Sequence, residues 1–428
     1  MSGDNLLFVN AAQTVTCAGP ARARRGSGMA DAGVRSGVAV LVERGRITAV
    51  GDEASLRATH RDATIVDCAG GVLTPGFADS HTHAIFGRAR YEEQELRATG
   101  VPYMEIARRG GGIHASVRDL RTRSEDELFA LAEPRLRSLA SSGVTTVEVK
   151  SGYGLSLDDE IKTLRVVRRL ASALPMRIVP TWLGAHEIPL DYRERANGRR
   201  EYLDLLIYEM LPIIAREHLA RFADVFCEPG VFTVQESREI LGAARSAGLG
   251  IKLHADELTA GGGAELAGEL HATSADHLAA VSDEGIAALA AGGTVATLLP
   301  GTMLFLGKSS HAPARRMIEA GVPVALATDF NPGTSPTTNF PLVLTLGVSQ
   351  LRMSVAEAFV AGTVNGAAAL GVADSVGQLA AGFSADIALW DVSDVREIPY
   401  WYGAGRCRAS WARGKPCHVH DLALTFRV

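Results

Sequence analysis

Cysteine is scarce in this chain, charge of either sign is nearly balanced, and no apolar run goes far without a glycine or proline. The five cysteines among 428 residues (Cys17, Cys68, Cys227, Cys407 and Cys417) contain no C-x-x-C spacing and leave one over in any pairing scheme. That argues against a disulfide framework and for reduced thiols inside a cell. A formal net charge of -5 lacks the basic excess of a nucleic-acid surface. One basic cluster, Arg22, Arg24 and Arg25, sits in a Gly- and Ala-rich stretch and is expected to be a solvated loop. The opening MSGDNLLFVN has no basic segment leading into an apolar one, so no secretory signal is expected. The uncharged run Ala287–Gly307 has the length of a membrane span, but Gly292-Gly293 and Pro300-Gly301 break it into helix end, strand and loop. The expectation is a cytoplasmic protein with no nucleic-acid or membrane partner.

What is present is ordinary globular composition, 47% hydrophobic and 21% charged, in a chain long enough for a large domain and a smaller companion. The ends are β-rich. LLFVNAAQTVT, VAVLVERGRITAVG and TIVDCAGGVLTPG read as strands broken by Gly, Asp or Pro, with Ala18–Gly37 as an extended hairpin loop. Near the other end, GQLAAGFSADIALWDV reads as a turn and a strand, and RASWARGKPCHVH as one more. Between these ends, short apolar runs alternate with helical segments. The runs are VLTPGFADSHTH, VTTVEVKS, MRIVPTWLGAH, DVFCEP, IKLHADE, ATSADHL, TVATLLPG and VALATDFN. Strands alternating with helices imply parallel pairing and right-handed crossovers, and this number of runs suits a closed (β/α)8 TIM barrel. The fold expected is therefore α/β: a barrel over residues 76–371, with 1–75 and 372–428 pairing into a small composite β-sandwich.

Chemistry-bearing residues gather at the C-terminal ends of those strands, where barrels place their sites. His81 and His83 project from the same face of an extended segment, so both imidazoles can converge on one ion. His254 closes IKLHADE, His277 closes ATSADHL and Asp329 closes VALATDFN. Neutral imidazoles plus a carboxylate suit zinc, and iron nearly as well. Such a set, left open to water, lowers the pKa of that water from about 15.7 to roughly 7, and a neighbouring carboxylate such as Asp329 can take its proton.

This pattern resembles the amidohydrolase superfamily, and TPGFADSHTH and GFSADIALWD resemble its flanking segments. Within it, the chain resembles the imidazolonepropionase family over essentially its whole length. The matching stretches are HAIFGRARYEEQELRATGVPYMEIARRGGGIHA, EVKSGYGL, LGAHEIP, FCEPGVFT, KLHADE, SADHL, LLPGT and ATDFNPGTSP. The Arg/Gly-rich stretch before Val38 is the main departure.

The resemblance implies one metal ion per chain, Zn2+ or Fe3+, held by His81, His83, His254 and Asp329, with His277 beside the attacking water. It implies hydrolysis of the ring amide of 4-imidazolone-5-propanoate to N-formimidoyl-L-glutamate, in histidine degradation. Arg90 occupies the position that binds the propionate, and a guanidinium offers the fork a carboxylate needs. Tyr153 matches a substrate-binding residue, and His186 one that contacts the lactam and polarises its carbonyl. Glu257 matches a group bonded to a ring nitrogen, and Asn331, Gly333 and Thr334 residues that touch substrate or product. Tyr103 is a further expected contact. The catalytic set is thus Asp329, Glu257, His277 and His186. Binuclear relatives carry a carboxylated lysine on the fourth strand. Here Lys150 ends the second and the fourth carries Cys227 and Glu228, so a single metal is expected. A homodimer rests on the resemblance alone. The competing readings are another amidohydrolase, such as a purine or heterocycle deaminase, and a non-enzymatic scaffold, which would have lost ligands that are all present here.

Overall fold

The computed structural model describes residues 5–101, 105, 110–420 and 426–427. Its centre is an eight-stranded sheet whose strands neighbour one another in chain order. These are β1 (Phe77–Asp79), β2 (Val144–Lys150), β3 (Arg177–Ala185), β4 (Phe222–Cys227), β5 (Gly250–Ala255), β6 (Ser274–His277), β7 (Val295–Leu298) and β8 (Val324–Leu326). Every pairing among them is parallel. Parallel strands lie between an inner core and an outer layer of helices, which is why β2 is buried at every position. The helices begin where the sequence supplies caps: Ser124 with Glu127, and Thr233 with Glu236, form reciprocal capping boxes.

The ladder closes into a barrel just beyond the named strands. His83 N–H donates to the Phe330 carbonyl at 2.8 Å, and Asp329 N–H donates to the His81 carbonyl at 3.0 Å. Below them the buried Asp79 carboxylate accepts the Thr328 N–H at 3.0 Å and its hydroxyl at 2.7 Å. Burial pushes the Asp79 carboxyl up to about 7. Asp79→Ala should strand these two buried donors and cost about 1–3 kcal/mol, read as a lower urea midpoint with an unchanged slope. An unaltered midpoint would mean that the seam does not depend on Asp79.

The two ends of the chain build the sandwich. One sheet orders Phe426–Arg427, Thr64–Asp67, Asn5–Val9, Val38–Glu43 and Arg46–Asp52. The other orders Lys415–Val419, Cys407–Ala412, Ile387–Trp390, Val72–Pro75, Gln13–Val15 and Val34–Arg35. Phe8, Val40 and Val66 from the first face Leu73, Ile387 and Trp411 from the second. Phe8 meets Trp411 edge to face at 5.0 Å. Trp390 donates through Nε1 to Thr74 Oγ1 at 2.9 Å, across 316 residues of sequence.

Three expectations need correction. RASWARGKPCHVH forms two strands, because Arg413 and Gly414 both take positive φ (53° and 71°) and turn the chain into a hairpin. Ala18–Gly37 is not an open loop: it holds a 3-10 turn at Gly26–Ala30, and Val34–Arg35 pairs with Thr14 and Val15. Arg22 and Arg25 are exposed, but Arg24 is buried. Its guanidinium donates to the carbonyls of Cys17 and Asp31, and its N–H donates to Asn365 Oδ1 at 2.7 Å. A desolvated cation is tolerated there because carbonyl oxygens replace its water. Among the described residues, no helix is long and apolar enough to cross a membrane.

Candidate active site

The closing seam delivers three of the expected metal-binding side chains to one point. His81 and His83 follow β1, and their Nε2 atoms face each other at 3.2 Å. Asp329 lies across the seam, its Oδ1 3.5 Å from His81 Nε2 and 3.7 Å from His83 Nε2. His254, on β5, brings its Nε2 to 3.4 Å from that of His83. Burial holds both His81 and His83 well below the usual imidazole range, so each ring is neutral. His81 Nδ1 lies 2.6 Å from Asp276 Oδ2, which places its proton there and leaves Nε2 as a bare lone pair. Lone pairs converging at such distances repel unless a cation lies among them. The residues present therefore fit a metal ion with imidazole and carboxylate ligands. His277 joins His81 and His254 in one group of mutually close donors, and His186 joins His83 and His254 in another.

Beneath the donors lies a layer of charge that sequence reasoning missed. Lys150 Nζ contacts Asp224 Oδ2 at 2.6 Å and Glu148 Oε2 at 2.7 Å, and Lys252 Nζ contacts Glu148 Oε1 at 2.7 Å. All are buried. Asp276 fixes His81 from below, and Asp224 Oδ2 stands 3.1 Å from His254 Nδ1. Burial opposes the Lys150 charge, but Asp224 and Glu148 outweigh it and push its pKa up. Lys150 is accordingly an ion-paired ammonium, not a free amine awaiting carboxylation. The overlooked signal was alternation: Glu148 and Lys150, and Lys252 and His254, are charged or polar pairs two residues apart in β-branched strands. Such spacing marks the face turned into the barrel.

Around the donors stand the residues expected to meet substrate. Tyr153 is buried with its ring 5.8 Å from that of His83, and burial raises its phenol. His186 stacks on His83 at 5.1 Å, and burial pushes its imidazole down to about 3. Its Nδ1 lies 2.9 Å from the Gly152 carbonyl. A carbonyl only accepts, so the proton of the neutral ring sits on Nδ1 and Nε2 faces inward as an acceptor.

Glu257 Oε2 is 3.6 Å from His277 Nδ1, and burial, with Asp329 and Glu228 nearby, pushes its carboxyl up to about 8. The loop carrying it is wound around Glu228, which accepts the N–H groups of Glu257, Leu258 and Thr259. Asp329 and His277 both take positive φ (52° and 80°), a strained backbone for side-chain-bearing residues at a site of this kind. Thr302, not foreseen, donates to Asp329 Oδ2 at 2.6 Å. Burial lifts the Asp329 carboxyl to about 6.

Arg90 lies beyond the seam, where its N–H donates to the Pro332 carbonyl at 3.3 Å and its guanidinium packs on Gly333, so close that a Cβ there would lie 1.3 Å away. Its buried Nε has no hydrogen-bond partner among the described residues, and Glu93 Oε2 stands 3.7 Å away. Asn331 folds its own loop: its Oδ1 accepts the N–H groups of Gly333 and Thr334 at 2.8 Å each, and its Nδ2 donates to the Asp329 carbonyl at 2.7 Å. Tyr103 lies outside the described residues.

A parallel barrel with this donor cluster at its C-terminal rim, joined to a sandwich made from both chain ends, defines an amidohydrolase, a metal-dependent class of hydrolase. The family description "Amidohydrolase family" matches residues 104–418, and "Imidazolonepropionase-like composite domain, bacteria" matches residues 39–63. The chain is 49% identical over 415 residues to the imidazolonepropionase of Symbiobacterium thermophilum, covering 96% of each. It is 45% identical to that of Bacillus velezensis, covering 94% of each. The chain belongs to the imidazolonepropionase family, hydrolases of a cyclic-amide carbon–nitrogen bond. Solved structures share the fold at lower identity. An adenosine deaminase from Xanthomonas campestris with bound zinc superposes with a TM-score of 0.71 at 18% identity, covering 98% of this chain and 94% of the other. An amidohydrolase from a Sargasso Sea sample gives 0.70 at 24%, with the same coverage.

Proposed function

We propose that the site hydrolyses the ring amide of 4-imidazolone-5-propanoate to N-formimidoyl-L-glutamate, using one ion, zinc or iron, held by His81, His83, His254 and Asp329. The observation that carries this reading is the convergence of those four donors, with Arg90 across the loop after the seam, its Nε without a hydrogen-bond partner among the described residues and 3.7 Å from Glu93 Oε2. Bound there, the ion supplies Lewis acidity to the ring carbonyl and lowers the pKa of the attacking water. Arg90 holds the propionate tail, with Gly333 leaving room for its guanidinium. Tyr153 packs along the ring, His186 Nε2 accepts a ring N–H, and Glu257 bonds the other ring nitrogen. Asn331 and Thr334 shape the loop under the substrate, and His277 stands beside the water. Asp329 takes a proton from the water as its oxygen bonds to the carbonyl carbon, then passes it to the ring nitrogen as the C–N bond breaks. One water is consumed: its oxygen ends in the new carboxylate, one proton on the released nitrogen, and the other goes to solvent as the new carboxylic acid ionises. In this reading the domains divide as 1–75, 76–371 and 372–428. Five unpaired cysteines support a cytoplasmic setting. A homodimer is part of the same proposal, tested by light scattering.

The direct test is metal analysis of the purified protein together with loss of imidazolone absorbance. Arg90→Ala should remove a charge-assisted contact of about 1.5–3 kcal/mol. The expected result is roughly a ten- to hundredfold loss in kcat/KM with metal content unchanged. Arg90→Lys should restore only part of it, because an ammonium lacks the fork. Wild-type kinetics in Arg90→Ala would assign the tail to another cation.

A further inference from the structure

Glu160 lies in the first turn of the helix Leu157–Ala173, a place where an acid is ordinarily solvated and favours the helix dipole. Here it is fully buried and turned back toward the loop that follows β2. Its Oε1 accepts the N–H of Gly154 at 2.8 Å and those of Gly152 and Leu155 at 3.1 Å, and its Oε2 accepts Gly152 N–H at 3.2 Å. Burial raises the Glu160 carboxyl while the Ser151 hydroxyl and these N–H groups work against it, and the same hydroxyl accepts the N–H of Leu183, on β3, at 2.9 Å. The amides on both sides of Tyr153 are thus held by one group, which is tied through Ser151 to the strand leading to His186. The Gly152 carbonyl, inside this clamp, is the acceptor that fixes the His186 Nδ1 proton. Gly152 has φ +104°, and a Cβ there would fall 2.9 Å from His186 Nδ1 and 3.0 Å from the Leu183 carbonyl. The loop can pass this close to His186 only as glycine.

From this geometry we infer that Glu160 is a positioning residue that sets Tyr153 and the acceptor face of His186 against the substrate ring as one unit. It rests on the reading that those two side chains meet the substrate. Glu160 touches none of the metal-binding donors, so its loss should spare them. A carboxamide in its place keeps the shape but turns an NH2 toward backbone N–H groups, which loosens the loop.

The test compares Glu160→Gln, Tyr153→Phe with His186→Ala, and all three changes together. Glu160→Gln should raise KM about tenfold with kcat nearly unchanged. Metal affinity by chelator competition should match the wild type. Added to Tyr153→Phe/His186→Ala, it should cost nothing further, since its effect passes through those residues. Ser151→Ala, which loosens the clamp but keeps the carboxylate, should shift KM the same way by about threefold, and it stands in should Glu160→Gln not fold. A folded Glu160→Gln or Ser151→Ala enzyme with wild-type KM overturns the inference, as does an equal loss in both backgrounds. Wild-type kinetics in both Tyr153→Phe and His186→Ala would overturn the substrate reading itself, and the clamp with it.

Discussion

Asp329→Asn is expected to keep appreciable metal and to lose about 10²- to 10⁴-fold in kcat. The carboxylate has two edges in different surroundings. Oδ2 is pinned by the Thr302 hydroxyl at 2.6 Å, while Oδ1 faces His81 and His83 at 3.5 and 3.7 Å. Asparagine keeps one oxygen for the ion but cannot accept and return a proton. Glu257 gives the contrast. In this reading it orients the substrate ring, and a carboxamide keeps the shape and hydrogen-bonding reach of a carboxyl. Glu257→Gln should therefore retain more kcat than Asp329→Asn at saturating substrate. Each variant needs its metal content measured beside its kinetics. A fully metallated Asp329→Asn enzyme turning over near the wild-type rate would reduce Asp329 to a ligand and move the base to His277 or Glu257.

The larger effect is expected at His254. His254→Ala should reduce bound metal from about one ion per chain to about none and abolish turnover, because under the proposed reading it removes one of the four donors. The barrel should stay folded. β5 is paired on both sides, and the Lys150 and Lys252 ammonium groups remain to balance Asp224, Glu148 and Asp276. Circular dichroism separates metal loss from unfolding. Activity in a metal-free His254→Ala protein would end the reading in which the ion takes part in hydrolysis.

Much of this was legible in the residues themselves. His81, His83, His254, His277 and Asp329 stand at the ends of apolar runs, and a parallel barrel brings all such ends to one rim, so strand reading alone gathered them. The floor of the site was not legible in that way. Asp224, Glu148 and Asp276 sit inside strands, and which strand partner neutralises each depends on barrel geometry. Glu160 hid for another reason: an acid in a first helical turn has an ordinary local explanation, and only its burial shows otherwise. Arg24 was misread because its local composition is that of a loop, while its partner Asn365 lies 341 residues away. Which nitrogen of His186 faces inward was not legible either, because the backbone carbonyl of Gly152 takes the other.

The pairing of Val72–Pro75 with Ile387–Trp390, marked by the Trp390–Thr74 contact, sets an order of events during synthesis. The sheet containing Asn5–Val9, Val38–Glu43 and Thr64–Asp67 draws almost entirely on early chain. The strand Val72–Pro75 finds Gln13–Val15 early, but its other edge must wait for a partner made 316 residues later. At about 5–20 residues per second, that is on the order of 15–60 s on the ribosome. During this interval β1, which begins two residues after that strand, can enter a growing barrel while the second sheet stays incomplete. The two sheets of the sandwich, neighbours in space, are thus separated in time. A chain truncated before Ile387 should leave Val72–Pro75 paired only with Gln13–Val15, its other edge open to other chains.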